Sequence, residues 1–284
     1  MVNKIVKGLK QTLRGSVENT PILRDFYYYH WLFPINPNLF RGVFGSFAEA
    51  SAAVPASIPS GYDYIDLHNT SLKQNLSLEE ISQFKPIDYP ILVWLGEIFK
   101  ERSTVFDLGG NTGNSYYAYR KYISYPPTMK WLICDVPAAV QVGNQLLHRF
   151  DSPGLSYTTN IADSEGFDIF LTCGTLQYLE PSLSELLSQL KSKPQHLIIN
   201  HVPFYNGDEY ITLQNLLIVD SVNKTQIASY TPYKIQNSAH FIDAIEKLGY
   251  ELVDSWQQNR TCYIPFEPER FVDAYHGFYF RLQA

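Results

Sequence analysis

Apolar positions along the chain follow two periods in turn, and this alternation predicts an open sheet with helices between its strands. Thr104–Leu108, Lys130–Cys134, Leu155–Thr159, Phe167–Thr172 and His196–Asn200 are short apolar or β-branched runs bounded by turn residues, the pattern of buried strands. Helical stretches fall between them. Pro90 to Glu101 is amphipathic, and Asn114 and Ser115 cap a segment carrying Tyr116, Tyr117, Tyr119, Tyr122 and Ile123 that Pro126 and Pro127 stop. Pro137 opens a helix with Val140, Leu146 and Leu147 on one side. Ser46 with Glu49, Ser77 with Glu80, and Ser182 with Glu185 have capping-box spacing. Asn237 and Ser238 start a helix bearing Phe241, Ile242, Ile245 and Leu248, and Gly249 ends it. Glu251–Trp256 and His276–Leu282 read as two closing strands joined by a long hairpin. Within residues 204–237 the run Ile211–Asp220 fits strand or helix equally, and the segment is expected to cover a cleft.

The chemistry concentrates where the first strand runs into Gly109-Gly110-Asn111-Thr112-Gly113. A strand, a glycine turn and a helix form the place where an open parallel sheet holds its ligand. A dinucleotide fingerprint would put glycine at the first, third and sixth positions of the turn, and from Gly109 these are Gly109, Asn111 and Asn114. The phosphate loop also fails, because no Gly-Lys-Ser/Thr follows and the turn holds no basic residue. What remains, Asp107-x-Gly109-x-Asn111-x-Gly113, resembles the first motif of the class I S-adenosylmethionine-dependent methyltransferases, acidic-x-Gly-x-Gly-x-Gly. Three of its four marked positions match. Asn111 takes the place of the middle glycine, and asparagine tolerates a left-handed backbone better than most residues.

That resemblance implies a cofactor that carries an amino acid, a sulfonium and a ribose but no phosphate. Such a ligand needs closely approaching backbone from Gly109, Gly110, Asn111 and Gly113, and a carboxylate near its ammonium end, which Asp107 suits. Asp135, at the tip of the second strand and followed by Val136, is assigned to the ribose hydroxyls, a device that adenosine-binding folds share; a strand-end Asp also serves simply as an N-cap. By the same resemblance adenine lies near Asn160 and Ile161. Thr172 and Cys173 lie under the methionine part, and the loop that follows faces the acceptor. If the sheet is parallel, these tips converge on one edge together with Gln177, Tyr178 and His201. A hydroxyl acceptor must also send its proton somewhere, and His201 is the expected base, with Gln177 and Tyr178 orienting the acceptor. His30, His240 and His276 are its rivals.

Composition narrows the classes. With 22 Lys plus Arg against 28 Asp plus Glu, the net charge of -6 argues against a general nucleic-acid binder. Cys134, Cys173 and Cys262 are sparse and lack metal-ligand spacing, so the expectation is a cytoplasmic protein with no metal and no disulfide framework. No apolar run approaches the ~20 residues of a membrane span. Residues 1–14 place Ile5, Val6, Leu9 and Leu13 at helical spacing among Lys4, Lys7, Lys10 and Arg14, a stripe that packs on its own domain or rests on an anionic membrane surface. The 21 Tyr and 17 Phe include a dense aromatic stretch, Phe26–Pro34. Most are expected in the core, with Tyr28, His30, Trp31 and Arg41 on the substrate side. This stretch, Phe44–Ala50 and Gly61-Tyr-Asp63 are similar to a group of bacterial methyltransferases often encoded among surface-polysaccharide genes, which implies a glycan-type acceptor.

The expected architecture is therefore α/β and Rossmann-like. It has seven mostly parallel strands with an antiparallel last one, helices on both faces, and a helical, aromatic-rich cap over residues 1–100 before an S-adenosylmethionine-binding domain over 101–284. The expected activity is methyl transfer from S-adenosylmethionine to an oxygen, less readily a nitrogen, of a small-molecule or glycan-type acceptor. Three alternatives stay open at this point: a nicotinamide-dependent oxidoreductase, a catalytically silent protein that only binds cofactor or partner, and a membrane-surface protein that uses the basic helix of residues 1–14.

Overall fold

The computed structural model describes residues 20–36, 38–63, 68, 75–216, 218–219, 226–227 and 229–283. The N-terminal stripe over residues 1–14 lies outside them. Twelve strands are present among the described residues: β1 Phe40–Phe44, β2 Thr104–Leu108, β3 Lys130–Cys134, β4 Leu155–Thr158, β5 Ile169–Cys173, β6 His196–Tyr205, β7 Tyr210–Asn215, β8 Ile218–Val219, β9 Gln226–Ile227, β10 Tyr230–Asn237, β11 Tyr250–Gln258 and β12 Tyr275–Leu282. The α-helices are α1 Pro21–Tyr27, α2 Phe47–Ala52, α3 Leu78–Ile81, α4 Tyr89–Ile98, α5 Asn114–Tyr119, α6 Pro137–Leu147, α7 Leu183–Ser188 and α8 Ser238–Glu246.

The five runs read as buried strands pair in parallel in the order β4-β3-β2-β5-β6, with β12 antiparallel beside β6 and β11 outside it. Strand order reverses between β2 and β5, so a crevice opens at the carboxyl ends of those strands. Period-2 alternation divides two cores. Val105, Ile169, Leu171 and Ile198 face Ile91 and Leu95 of α4 and Tyr116 and Tyr119 of α5. Phe106, Phe170, Leu197 and Ile199 face Leu183 and Leu187 of α7 and Phe241 and Ile245 of α8.

The sheet differs from expectation in its extent. It has ten strands, not seven, because β6 forks. Its first part pairs with β5 and β12, and then Phe204 and Tyr205 pair in parallel with Gln236 and Asn237 of β10, which leads on to β7 and β1. The ambiguous run after residue 210 thus begins as a strand, every residue of Tyr210–Asn215 being buried. A separate core of Phe40, Tyr210, Tyr233, Ile235, Cys262, Ile264, Val272 and Tyr275 supports this branch. The segment before residue 100 is accordingly not helical throughout: β1 joins the sheet, and α4 belongs to the main core.

Local signals behave as their chemistry requires. Ser77 with Glu80 and Ser182 with Glu185 form reciprocal capping boxes, and the Asn237 side chain accepts from the His240 N–H. The helix after the glycine turn is shorter than its apolar run, ending at Tyr119, and neither Asn114 nor Ser115 caps it; its N-cap is Gly113. Among the described residues no helix is long and apolar enough to cross a membrane.

A close contact between α6 and β4 yields a test. A Cβ at Gly143 would lie 2.4 Å from the Tyr157 ring, so Gly143→Ala forces that ring aside. Alanine ordinarily gains about 0.5–1 kcal/mol over glycine within a helix, but overpacking here costs about 1–3 kcal/mol. The expected outcome in urea denaturation is a net loss of stability; a gain would show that the ring yields freely.

Candidate functional site

The turn after β2 is built from backbone that only small residues permit. Gly109 has φ 77°, and a Cβ on it would lie 1.9 Å from Thr175 Oγ1, so the loop after β5 closes directly onto it. A Cβ on Gly110 would lie 2.5 Å from Asp107 Oδ2. Asn111 takes φ 53°, the left-handed conformation that lets it replace glycine. Its side-chain oxygen accepts the Thr112 N–H at 2.7 Å.

Two carboxylates flank the turn. Asp107 is 3% exposed and accepts the Trp131 indole N–H at 3.0 Å. Burial pushes its pKa up to about 7, with Asp135 and Asp88 adding to the shift and the indole opposing it. Asp135 Oδ1 accepts the Val136 N–H at 2.7 Å and Oδ2 accepts the Asn111 N–H at 2.8 Å. Burial raises this carboxyl as well, against those two hydrogen bonds. Each oxygen of Asp135 keeps a further lone pair, so the pair can accept two more donors.

A third carboxylate and a histidine meet in a chain of side chains whose members are too far apart along the sequence to be anticipated from it. The Arg260 guanidinium donates through Nη1 to His201 Nε2 at 2.9 Å. Arginine has no acceptor, so the imidazole proton sits on Nδ1, which donates to Gln258 Oε1. Gln258 Nε2 donates to Asn200 Oδ1 at 2.5 Å, and Asn200 Nδ2 donates to Asp88 Oδ1 at 3.1 Å. All the donors point from the guanidinium toward the carboxylate. His201 itself sits at φ 62°, within β6.

This arrangement corrects the expectation that His201 is the base. Burial, with Arg260 and Lys85 nearby, pulls the His201 pKa down to about 4, and its Nε2 lone pair is already taken. His201 is therefore neutral and fixed in one tautomer.

A cleft of about 1100 Å³ runs over these groups. Asp107, Gly109, Gly110, Asn111, Asp135, Val136, Ile161, Cys173, Gln177, Tyr178 and His201 line it. Three expected cofactor residues are not on its wall. Gly113 is the N-cap of α5, and Thr172 is wholly buried in β5 with Oγ1 unpartnered. Asn160 spends its side chain capping the 3-10 turn Ile161–Ser164, accepting from Ala162 and donating to Asp163 Oδ1 at 3.0 Å. The four residues expected on the substrate side do not line the cleft either. Tyr28 packs against Phe33 and Tyr230 and donates to the Phe40 carbonyl at 2.8 Å. His30 lies beside Phe26, Trp31 is 65% exposed, and Arg41 covers the Tyr29 ring. Of this aromatic stretch Tyr28 and Phe33 are buried by packing, whereas Phe26 and Trp31 stay exposed.

Other residues take that place: Asn38, Tyr62, His68, Lys85 and Asp88 from the first hundred residues, and Thr231, Tyr233 and Arg260 from later ones. Asp88 directly precedes α4, a position that reads as an N-cap, and its side chain makes no cap hydrogen bond. Two polar atoms on the lining are buried without a partner, Tyr119 Oη and Gln177 Oε1.

No protein-family model and no curated protein matches the sequence. Among solved structures, the chain is similar to the CcbJ methyltransferase from Streptomyces caelestis, at 12% identity over 76% of this chain and 97% of that one, with a TM-score of 0.48. It is similar to an S-adenosylmethionine-dependent methyltransferase from Clostridium acetobutylicum ATCC 824, at 10% identity, 77% and 97% coverage and a TM-score of 0.45. A third is 1,6-didemethyltoxoflavin-N1-methyltransferase from Burkholderia thailandensis with 1,6-didemethyltoxoflavin and S-adenosylhomocysteine bound, at 13% identity, 81% and 95% coverage and a TM-score of 0.46. Likeness at this level leaves function to be argued from the site.

The buried Asp107 carboxyl makes stability depend on pH. Its folded pKa of about 7 lies above the ordinary 3.8, so the native state keeps a proton that the unfolded chain sheds, and stability is lost as pH rises from about 4 to about 7. Asp107→Asn removes this loss. Urea denaturation of the ligand-free protein should show the variant's advantage growing over that range toward about 4 kcal/mol, and an advantage that does not change with pH would refute the assignment.

Proposed function

We propose that this protein is an S-adenosylmethionine-dependent methyltransferase that methylates an oxygen of a small-molecule or glycan-type acceptor. One observation carries the reading. Asp107 and Asp135 flank a turn whose backbone approaches the cleft closely, and residues 108–114 bring no cation to it. A pyrophosphate between two carboxylates would be repelled, whereas an ammonium and a diol suit them. The close approach at Gly109 and Gly110, where a Cβ would collide with Thr175 and Asp107, leaves the cradle such a nucleoside needs. Asp135 is the ribose ligand in this reading, Val136 and Ile161 border the adenine, and Asp107 holds the ammonium end with Tyr119 Oη nearby.

When bound, the cofactor supplies a methyl carbon already activated for in-line displacement. The chain's own task is alignment. Gln177 Oε1, a buried acceptor without a partner on the lining, accepts a hydrogen bond from the acceptor's hydroxyl and so orients it, and the proton itself passes to water as the oxygen is methylated. Tyr178 donates its own hydroxyl to Gln214 Oε1 at 2.7 Å and so offers the ring face. With Tyr62 and Tyr233 it makes an aromatic wall suited to a sugar or a planar ring. His201 acts as a positioning residue in this scheme. The segments before α4 that carry Asn38, Tyr62 and Lys85 serve as the acceptor-side cover.

Thermal shift with S-adenosylhomocysteine against NAD and NADP tests the reading. Ligand at a hundred times its Kd should stabilise the protein by about 2.7 kcal/mol, and stabilisation by the dinucleotides alone would reverse the choice. Asp135→Ala should weaken S-adenosylhomocysteine binding by about 2 kcal/mol in calorimetry, since it removes hydrogen bonds to a charged acceptor. Unchanged affinity would refute the ribose assignment.

A further inference from the structure

The cleft lining carries both signs of charge: Asp88, Asp107 and Asp135 are its carboxylates, and Arg260 and Lys85 are the cationic side chains of the arginine and lysine type among its described lining residues. Acidic residues outnumber basic ones in this chain, 28 to 22. Yet among the described residues no carboxylate lies within ion-pair distance of either Arg260 or Lys85. Arg260 is nevertheless held in place. One guanidinium nitrogen donates to His201 Nε2 at 2.9 Å, and the group lies over the Tyr275 ring, 5.2 Å from its centroid. His201 is in turn fixed through Gln258 and Asn200 to Asp88. The cation is thus anchored between His201 and Tyr275, and its remaining exposed donors can meet a ligand in the geometry that planar oxyanions match.

We propose that the acceptor is an anion, a carboxylate- or phosphate-bearing molecule, and that Arg260 is the residue that selects it, with Lys85 adding charge from the opposite segment. This deepens the methyltransferase reading and rests on it. Tyr62, Tyr178 and Tyr233 pack against the uncharged part of the molecule, and Arg260 fixes the charged end. In a protein whose net charge is -6, this pair of cations also offsets the general repulsion of an anionic substrate.

The test uses the full chain saturated with S-adenosylhomocysteine and matched probes: D-galacturonate against D-galactose, and glucose 6-phosphate against glucose. The charged member of at least one pair should bind in calorimetry more tightly than its neutral counterpart, and which pair responds distinguishes carboxylate from phosphate. Arg260→Gln should weaken that anion about ten- to hundredfold, Arg260→Lys should recover part of the loss, and about 0.5 M NaCl should weaken binding in the wild type. Neutral probes should respond equally in wild type and variant, which separates charge recognition from a disturbance of His201. The proposal is overturned if no anion binds better than its neutral partner, or if the preference survives Arg260→Gln. Affinity for S-adenosylhomocysteine should be unaltered in the variant; failure of the wild type to bind it would instead overturn the methyltransferase reading itself.

Discussion

Parallel pairing of β2 with β3 on one side and β5 on the other is the constraint on which the site depends. The register sets Leu108 beside Cys134 and Thr172, so Gly109 and Asp135 leave the sheet at the level where β5 ends in Cys173. Gly109, Asp135 and Cys173 then meet although they are far apart in the chain, and the Gly109 N–H donates to the Cys134 carbonyl at 2.8 Å. Slippage of β2 by one residue against its two neighbours would turn Asp107 toward the other face and put Phe106 in its place. The two cores resist such slippage, because Val105 and Phe106 belong to different ones.

Polar groups below the cleft are ordered by the same logic. Asn200 is wholly buried, yet both ends of its amide are used: Oδ1 accepts from Gln258 and from Trp256 Nε1, and Nδ2 donates to Asp88. A buried carboxylate is costly unless donors reach it. At Asp88 the donors come from a chain whose far end is a guanidinium, so the cost of the anion is shared with a cation at the rim of the cleft. A buried hydrogen-bonded network of this kind specifies one arrangement of β6, β11 and the segment before α4, since breaking any inner member strands its neighbours.

Much of the central fold was legible because its strands are short apolar runs closed by turn residues, and such runs have few other ways to bury themselves. The chain from Lys130 to Cys134 became a strand over the residues read, and the closing pair began within a residue of expectation, at Tyr250 and Tyr275. The branch of β7, β10 and β1 was not legible. Tyr210–Asn215 is buried on both faces, so its polar Thr212, Gln214 and Asn215 erase the alternation that marks a strand, and the residues that satisfy them come from the distant segment 33–41. Phe26–Pro34 misled in the opposite direction: aromatic density looks alike whether it lines a cavity or fills a core.

By itself the sequence determined the strand, glycine turn and helix, the carboxylates at Asp107 and Asp135, and the absence of a phosphate-binding pattern, all of which are local. Only the tertiary structure decided which side chains share the cleft. His201 reads in the chain as a free imidazole at a strand tip, and folding gives its lone pair to Arg260 and its proton to Gln258. The physical reason is that spacing along a chain fixes backbone conformation within a few residues, whereas ionisation and hydrogen bonding depend on neighbours that only packing brings within reach.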